Sequence, residues 1–333
     1  MAHKVILTFN VGPTDSEEKA LSEVGAELIK PDWKNEDDLV KACSDNDVIA
    51  MLIGPNAPVT KRVIDAMPNL KILSRLGIGI DNIAIDSATA RGIPVSVVLD
   101  YCISEVADHA MAFILAFARR IIPLSEAVKA GHWTRERSDI PKVRTPMSRL
   151  SEVTLGVVGT GRIGGSLVAR AKAFGMRAIA YDPYLPREAA EKLGVELVDF
   201  DQLLNESDFI SLHAPLTKET THLFSGEAFS KMKRTAYLIN NARGGLVDEQ
   251  ALYTALKEGQ IAGAGLDVTD PEPPEADNPL LSLDNAFITG HASWYSEEAV
   301  AELRWKGVMA VIEFLKGGWP VSLANPEVKN ART

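Results

Sequence analysis

From "KVILTF" (4–9) to "AFITG" (286–290), short runs of Val, Ile, Leu and Ala alternate with stretches of helical periodicity. In the first hundred residues the β-like runs lie at 4–9, 26–29, 47–53, 70–75 and 93–98, with helical patterns at 15–25, 35–43, 59–67 and 83–91. A second series starts at 153–159 and continues at 177–182, 195–199, 208–213, 236–240, 261–268 and 286–290. Strands that alternate with helices pair in parallel, and the helices cover both faces of the resulting sheet. An α/β chain with doubly wound parallel sheets is expected. Its 333 residues, 46% of them hydrophobic, suffice for two such domains.

Two segments interrupt the alternation. "SEVADHAMAFILAFARR" (104–120) reads as a long helix, apolar on most sides and therefore buried. "GHWTRERSDIPKVRTPMSRL" (131–150) is rich in Arg and Pro and reads as an extended arm or linker, structural or oligomeric rather than catalytic. A final helical pattern spans about 296 to 316.

Composition removes several classes of function. A net charge of -10 gives no support for nucleic-acid or anionic-membrane partners. The longest apolar run, "AMAFILAFA" (110–118), is too short to cross a bilayer. Cys43 and Cys102 alone make neither a disulfide framework nor a Cys-based metal site, and no metal is expected. The first residues lack the apolar core of a signal peptide, so a reducing, cytoplasmic location fits.

The first chemical signal is "VVGTGRIGGSLVARAKAFG", which sets Gly159, Gly161 and Gly164 in G-x-G-x-x-G spacing between a strand and a helix. Glycines there let the backbone approach a pyrophosphate whose charge rests on the helix N-terminus. The next strand ends at Asp182, whose carboxylate can accept from ribose hydroxyls and repels a 2′-phosphate, so NAD is expected rather than NADP. The competing reading is an ordinary glycine-capped βα turn. Arg162 reads either as a charge-assisted contact to the pyrophosphate or as a solvated surface residue.

The second signal is a set of three groups at or beyond strand ends. Arg243 follows "AYLINNA", Glu272 lies in "GLDVTDPEPP", and His291 follows "AFITG". Reduction of a 2-keto acid needs a cation for the carboxylate, an acid for the ketone oxygen and a hydride carrier. An imidazole beside a carboxylate is suited to be that acid. Singly, each has a plainer reading: a surface arginine at a tight turn, a solvated loop glutamate, a structural histidine. In a doubly wound sheet, ligands collect beyond the carboxyl ends of the strands, where all three would meet.

With these motifs in place, the chain resembles the D-isomer-specific 2-hydroxyacid dehydrogenase family over nearly its whole length. The resemblance rests on "RLGIGIDNI" (75–83), "LGVVGTGRIGGSLVARAKAFGMRAIAYDP" (155–183), "HAPLT" (213–217), "NNARGGLVDEQAL" (240–252), "GLDVTDPEPP" (265–274) and "HASWYS" (291–296). In motif detail it is most similar to the branch containing the C-terminal binding proteins. It implies a Rossmann NAD domain over 102–296, with a dimerisation arm at about 121–150. A flavodoxin-like substrate domain would be assembled from 1–101 and 297–333, with a cleft between the two and a homodimer formed through the cofactor domain.

The resemblance also implies residue roles. Arg243 would bind the substrate carboxylate and carbonyl, His291 would be the general acid/base, and Glu272 would orient it. Cofactor contacts would come from Gly159, Gly161, Arg162, Ile163, Gly164, Asp182, His213, Pro215, Thr220, Asn241, Ala242 and Asp267, the last near the nicotinamide carboxamide. The backbone amides of Gly77, Ile78 and Gly79 would form an anion nest for the carboxylate, with Tyr101 nearby. Trp294 would border the substrate pocket or serve packing alone. Gly290, where the family usually has proline, and the hinge "VLDYC" (98–102) depart from the common pattern. Asp100 in that hinge either points inward, disfavouring a second anionic group on the substrate, or is solvated.

The function implied is NAD-dependent interconversion of a D-2-hydroxy acid and its 2-keto acid. The alternative is an NAD(H)-sensing interaction protein of the C-terminal binding protein type with little or no turnover.

Overall fold

The computed structural model describes residues 3–10 and 12–332. It divides into two units, Met1–Tyr101 with Ser296–Thr333, and Cys102–Tyr295.

The first unit alternates β1 (His3–Leu7), α1 (Asp15–Ser22), β2 (Ala26–Ile29), α2 (Glu36–Cys43), β3 (Val48–Ile53), α3 (Lys61–Asp65), β4 (Ile72–Arg75), α4 (Ile85–Ala90) and β5 (Val95–Val97). Local chemistry sets some of the helix starts. The side chains of Asn35 and Thr60 cap α2 and α3 by accepting from Asp38 N and Val63 N. All strand pairs are parallel, in the order β2-β1-β3-β4-β5, the flavodoxin-like arrangement. The central strand β3 is buried at every position, as a strand covered on both faces must be.

The second unit begins with α5 (Ile103–Ala118), α6 (Ile121–Lys129) and α7 (Ile140–Val143). The expected buried helix is thus α5, although only one side of it is buried, through Val106, Ala107, Ala110, Met111, Phe113, Ile114, Phe117 and Ala118. The segment read as an extended arm contains α7, which starts where Pro141 supplies a φ suited to the first helical turn.

The Rossmann series follows: β6 (Thr154–Val158), α8 (Arg162–Ala173), β7 (Arg177–Tyr181), α9 (Arg187–Leu193), β8 (Glu196–Leu197), α10 (Phe200–Glu206), β9 (Phe209–Leu212), α11 (Gly226–Lys231), β10 (Tyr237–Asn240), α12 (Glu249–Lys257), β11 (Gly263–Leu266) and β12 (Ala286–Ile288). The sheet order is β12-β11-β10-β9-β6-β7-β8, all parallel. Chain order therefore reverses between β6 and β9, the switch point at which such sheets bind ligands.

The chain then returns to the first unit as α13 (Glu297–Leu315), capped by Ser296, whose hydroxyl accepts from Ala299 N. Gly307 of α13 packs against β4, where its carbonyl accepts from Ser74 Oγ at 3.0 Å. The tail closes the open edge of β5 antiparallel, with Val97 N donating to Ser322 O and Ala324 N to Val95 O. Among the described residues no helix is long and apolar enough to cross a membrane.

Candidate active site

Register lines up the strand ends of the second unit. Val158, Leu212, Asn240, Leu266 and Ile288 are successive partners across β6, β9, β10, β11 and β12. The residues that follow them, Gly159, His213, Asn241, Asp267 and Thr289, therefore form one row along the carboxyl edge. Most of the sequence-predicted groups of this unit sit on that row or in the turns leaving it.

The glycine loop leaves β6 at Gly159, which has φ +85. A Cβ there would lie 2.9 Å from the Ala214 amide nitrogen and 3.0 Å from the His213 carbonyl, so only glycine fits against the neighbouring strand end. Gly161 caps α8 without any side-chain hydrogen bond. The first amides of that helix, from Arg162 to Gly164, are thus presented for an anion. Arg162 itself is exposed.

Asp182, just past β7, is tied into the same loop. Its Oδ2 accepts from both the amide and the hydroxyl of Thr160 at 2.8 Å, and Oδ1 accepts from Tyr184 N at 3.0 Å. Burial pushes this carboxyl up, but the hydrogen bonds from Thr160 and Tyr184 outweigh it and hold the pKa below the usual range. Asp182 is a fixed anion at the loop.

Farther along the row, His213 is part-buried with Nε2 2.9 Å from Ser211 Oγ, and burial pushes its pKa down to about 4. It is a neutral imidazole. Pro215 and Thr220 occupy the next loop, where the Thr220 hydroxyl donates to Pro215 O and accepts from Thr217 N, both at 2.7 Å. The Asn241 side chain is buried with neither its nitrogen nor its oxygen bonded to protein.

Arg243 sits between two turns that the fold holds tightly. Asn240, fully buried, accepts from Ala242 N at 3.1 Å and donates to Arg243 O at 2.8 Å. The Arg243 guanidinium donates through Nη1 to Ala242 O at 2.7 Å. A Cβ on the next residue, Gly244, would fall 2.1 Å from Thr269 O. The arginine turn is therefore pressed directly onto the loop that carries Glu272.

Glu272 and His291 are brought together. Glu272 Oε1 lies 2.5 Å from His291 Nδ1, with the two side chains 42% and 39% exposed and so reachable. A carboxylate only accepts, so Nδ1 is the donor and Nε2 is the nitrogen left to exchange a proton.

His291 has φ +54 and follows Gly290 at φ +61, a left-handed pair that a histidine adopts only when its surroundings impose it. Asp267 imposes it. Its carbonyl accepts from His291 N at 2.5 Å, and its side chain accepts from Thr289 Oγ1 at 2.7 Å, Ala292 N at 2.8 Å and Ser293 N at 3.0 Å. Burial raises the Asp267 carboxyl, but bonds from Ser293, Thr289 and Ala292 prevail and keep its pKa low. Trp294, half-buried just beyond, packs edge-on to Tyr295 with centroids 5.7 Å apart.

The remaining predicted residues belong to the first unit. There the expected nest, Gly77, Ile78 and Gly79, follows β4, and the N–H of Gly77 donates to Arg75 O at 2.9 Å. The Arg75 side chain shapes that loop by donating from Nε to Gly79 O at 2.7 Å. Tyr101 is half-buried, and Asp100 is engaged by Lys306 Nζ at 2.8 Å.

The second unit fits a dinucleotide. It combines a helix N-terminus with no side-chain cap, an ionised acid at the next strand end, and a buried amide, that of Asn241, with both polar atoms unmet in the protein. Among the described residues no group of three or more His, Cys, Asp or Glu is placed to hold a metal ion. Sequence reasoning missed Thr160, Asn240 and Thr289, which bond to or brace the predicted groups. Their only signal was position, each next to a motif residue at a strand end.

Known proteins similar to this chain are dehydrogenases and reductases. The family model described as "D-isomer specific 2-hydroxyacid dehydrogenase, NAD binding domain" matches residues 111–293. A glyoxylate reductase from Korarchaeum cryptofilum is 40% identical over 95% of this chain and 95% of its own. A D-3-phosphoglycerate dehydrogenase from Methanocaldococcus jannaschii is 45% identical over 84% of this chain. The match spans only 52% of that longer protein. The crystal structure of a D-lactate dehydrogenase from Aquifex aeolicus, complexed with NAD and lactic acid, is similar with a TM-score of 0.82. It is 30% identical, covering 95% of this chain and 96% of that one.

Proposed function

Because the chain belongs to the D-isomer-specific 2-hydroxyacid dehydrogenase family and carries its NAD-binding domain, we propose that it interconverts a small D-2-hydroxy acid and its 2-keto acid. The observation that carries this reading is the Glu272–His291 pair, which leaves His291 Nε2 to move a proton. When bound, NADH supplies hydride to C2 of the keto acid.

Each residue then has a task. The Arg243 guanidinium holds the substrate carboxylate and polarises the carbonyl. His291 gives the proton from Nε2 to the developing alkoxide, while Glu272 fixes the ring and stabilises the imidazolium through Nδ1. In the oxidative direction the same nitrogen takes the hydroxyl proton. The amides at the start of α8 hold the pyrophosphate, Asp182 accepts from the ribose hydroxyls and disfavours a 2′-phosphate, and Asn241 and Asp267 lie towards the nicotinamide end.

In the first unit, the amides of Ile78 and Gly79 serve as anion donors. Two of the relatives bear names that point to small or phosphorylated three-carbon acids, and glyoxylate is the simplest candidate substrate. Exposed Ile121, Val128 and Trp133, on α6 and the turn after it, support a homodimer through this face.

The test is label transfer. Incubation with NADH deuterated at both C4 positions and a 2-keto acid of three or more carbons should place deuterium at C2 of a D-configured 2-hydroxy acid. An L-configured product, or label lost to water, would sink the reading.

A further inference from the structure

Glu249 stands first in α12, a position where an acid ordinarily does no more than complement the helix dipole. Here its carboxylate reaches elsewhere. Oε1 accepts from the backbone N–H of Asp270 at 2.8 Å, and Oε2 accepts from Asn278 Nδ2 at 2.8 Å. The two points bracket the loop that carries Glu272, which lies two residues past the Asp270 anchor.

That loop has little else to hold it. Pro271, Pro273 and Pro274 contribute no N–H, so it cannot be braced as a strand would be. Local bonds run from Thr269 Oγ1 to Pro271 O at 2.9 Å and from Asn278 N to Glu275 O at 3.0 Å, one near each end of the loop. Asn278, gripped at its nitrogen by Glu249, uses its oxygen to accept from Leu280 N at 3.0 Å and so ends the loop. The helix cap proper is the neighbour, Asp248, which accepts from Ala251 N at 3.0 Å. Capping is therefore already provided, and Glu249 is available for the loop.

We propose that Glu249 is a positioning residue for proton transfer: its carboxylate straps the 270–278 loop to the helix that follows Arg243, and so sets the distance from Glu272 to His291. The inference rests on the dehydrogenase reading above for its effect on turnover, but not for the strap itself. A displacement of about 1 Å at Glu272 is enough to lose the bond to His291. The strap fixes three elements at once, because Gly244 is packed against the backbone of Thr269 at the loop's near end.

The test compares Glu249→Ala with Asp248→Ala. Glu249→Ala removes the acceptor of both bonds. It should lower kcat about tenfold, leave KM for NADH within twofold, and raise the hydrogen-exchange rate of the Asp270 amide at least tenfold. Asp248→Ala removes the helix cap and should lower the melting temperature while leaving kcat and the Asp270 amide as they were. Unchanged exchange at Asp270 in Glu249→Ala would overturn the strap, whatever the turnover. Faster exchange with undiminished kcat would overturn its role in positioning. A wild-type protein without turnover on any 2-keto acid would remove the dehydrogenase reading and the positioning role with it, leaving exchange to judge the strap alone.

Discussion

The backbone N–H of His291 donates to the carbonyl of Asp267 at 2.5 Å, and the Asp267 carboxylate takes the next two amides, those of Ala292 and Ser293. One buried residue at the end of β11 thus holds the left-handed turn that aims the histidine at the end of β12. The backbone of His291 is tied to the sheet through Asp267.

Asp267→Asn should therefore loosen this turn. The amide keeps one acceptor but turns a donor towards amides that need an acceptor, a cost of roughly 3 kcal/mol. Urea denaturation at neutral pH should show that loss, with kcat reduced in parallel. The pH dependence has a definite sign. The folded carboxyl lies below its unfolded value near 3.9, so its contribution is present above that value and is lost as pH falls through the folded pKa. Wild type and Asp267→Asn should converge in stability at strongly acid pH.

His213 gives the converse test. Its folded pKa, about 4, lies below the unfolded 6.5, so between those values the unfolded chain binds more protons than the native one. Stability should fall as pH drops from about 6.5 to 4, by on the order of 2 kcal/mol. This is set below the full shift because His213 as a residue is only part-buried. His213→Gln should be flatter over the same window in urea titrations.

The two glycines after Arg243 should behave unequally. Gly244→Ala would drive a methyl into the Thr269 carbonyl, parting the arginine turn from the Glu272 loop; activity should fall more than about a hundredfold with a lowered melting temperature. Gly245→Ala meets two side chains, Leu216 at 3.0 Å, 39% exposed and able to move, and the Asp270 carboxylate at 3.3 Å, and should cost about 1 kcal/mol. Equal effects would contradict the packing described.

Asp182→Ser should shift cofactor choice. Loss of the fixed anion removes the repulsion of a 2′-phosphate and the acceptor for the ribose hydroxyls. The ratio of kcat/KM for NADPH to that for NADH should rise at least tenfold. An unchanged ratio would place cofactor discrimination elsewhere.

Much of this arrangement was legible in the sequence because it is periodic or local. Alternating strands and helices fixed both sheets to within a few residues, and the row of strand ends followed from register once the sheet was parallel. Arg243, Glu272 and His291 were readable because each lies at or just beyond a strand end. What escaped were bonds made across the fold by residues whose local role looks complete. Glu249 reads as a first-turn acid, Thr160 as a spacer between glycines, and Asn240 as the end of a strand. The bond from the Gly77 amide to Arg75 O belongs to a tight turn at φ +139, which spacing alone does not register.

If the proposed function holds, Arg243 and the Glu272–His291 pair turn over a 2-keto acid with NADH. The most direct measurement is the rate of NADH oxidation with glyoxylate and larger 2-keto acids, for wild type beside Glu272→Gln and Arg243→Ala. Wild type should turn over, kcat should fall about a hundredfold in Glu272→Gln with KM for NADH little changed, and kcat/KM should collapse in Arg243→Ala. Tight binding of NADH with no turnover on any keto acid, or full activity in both variants, would contradict it.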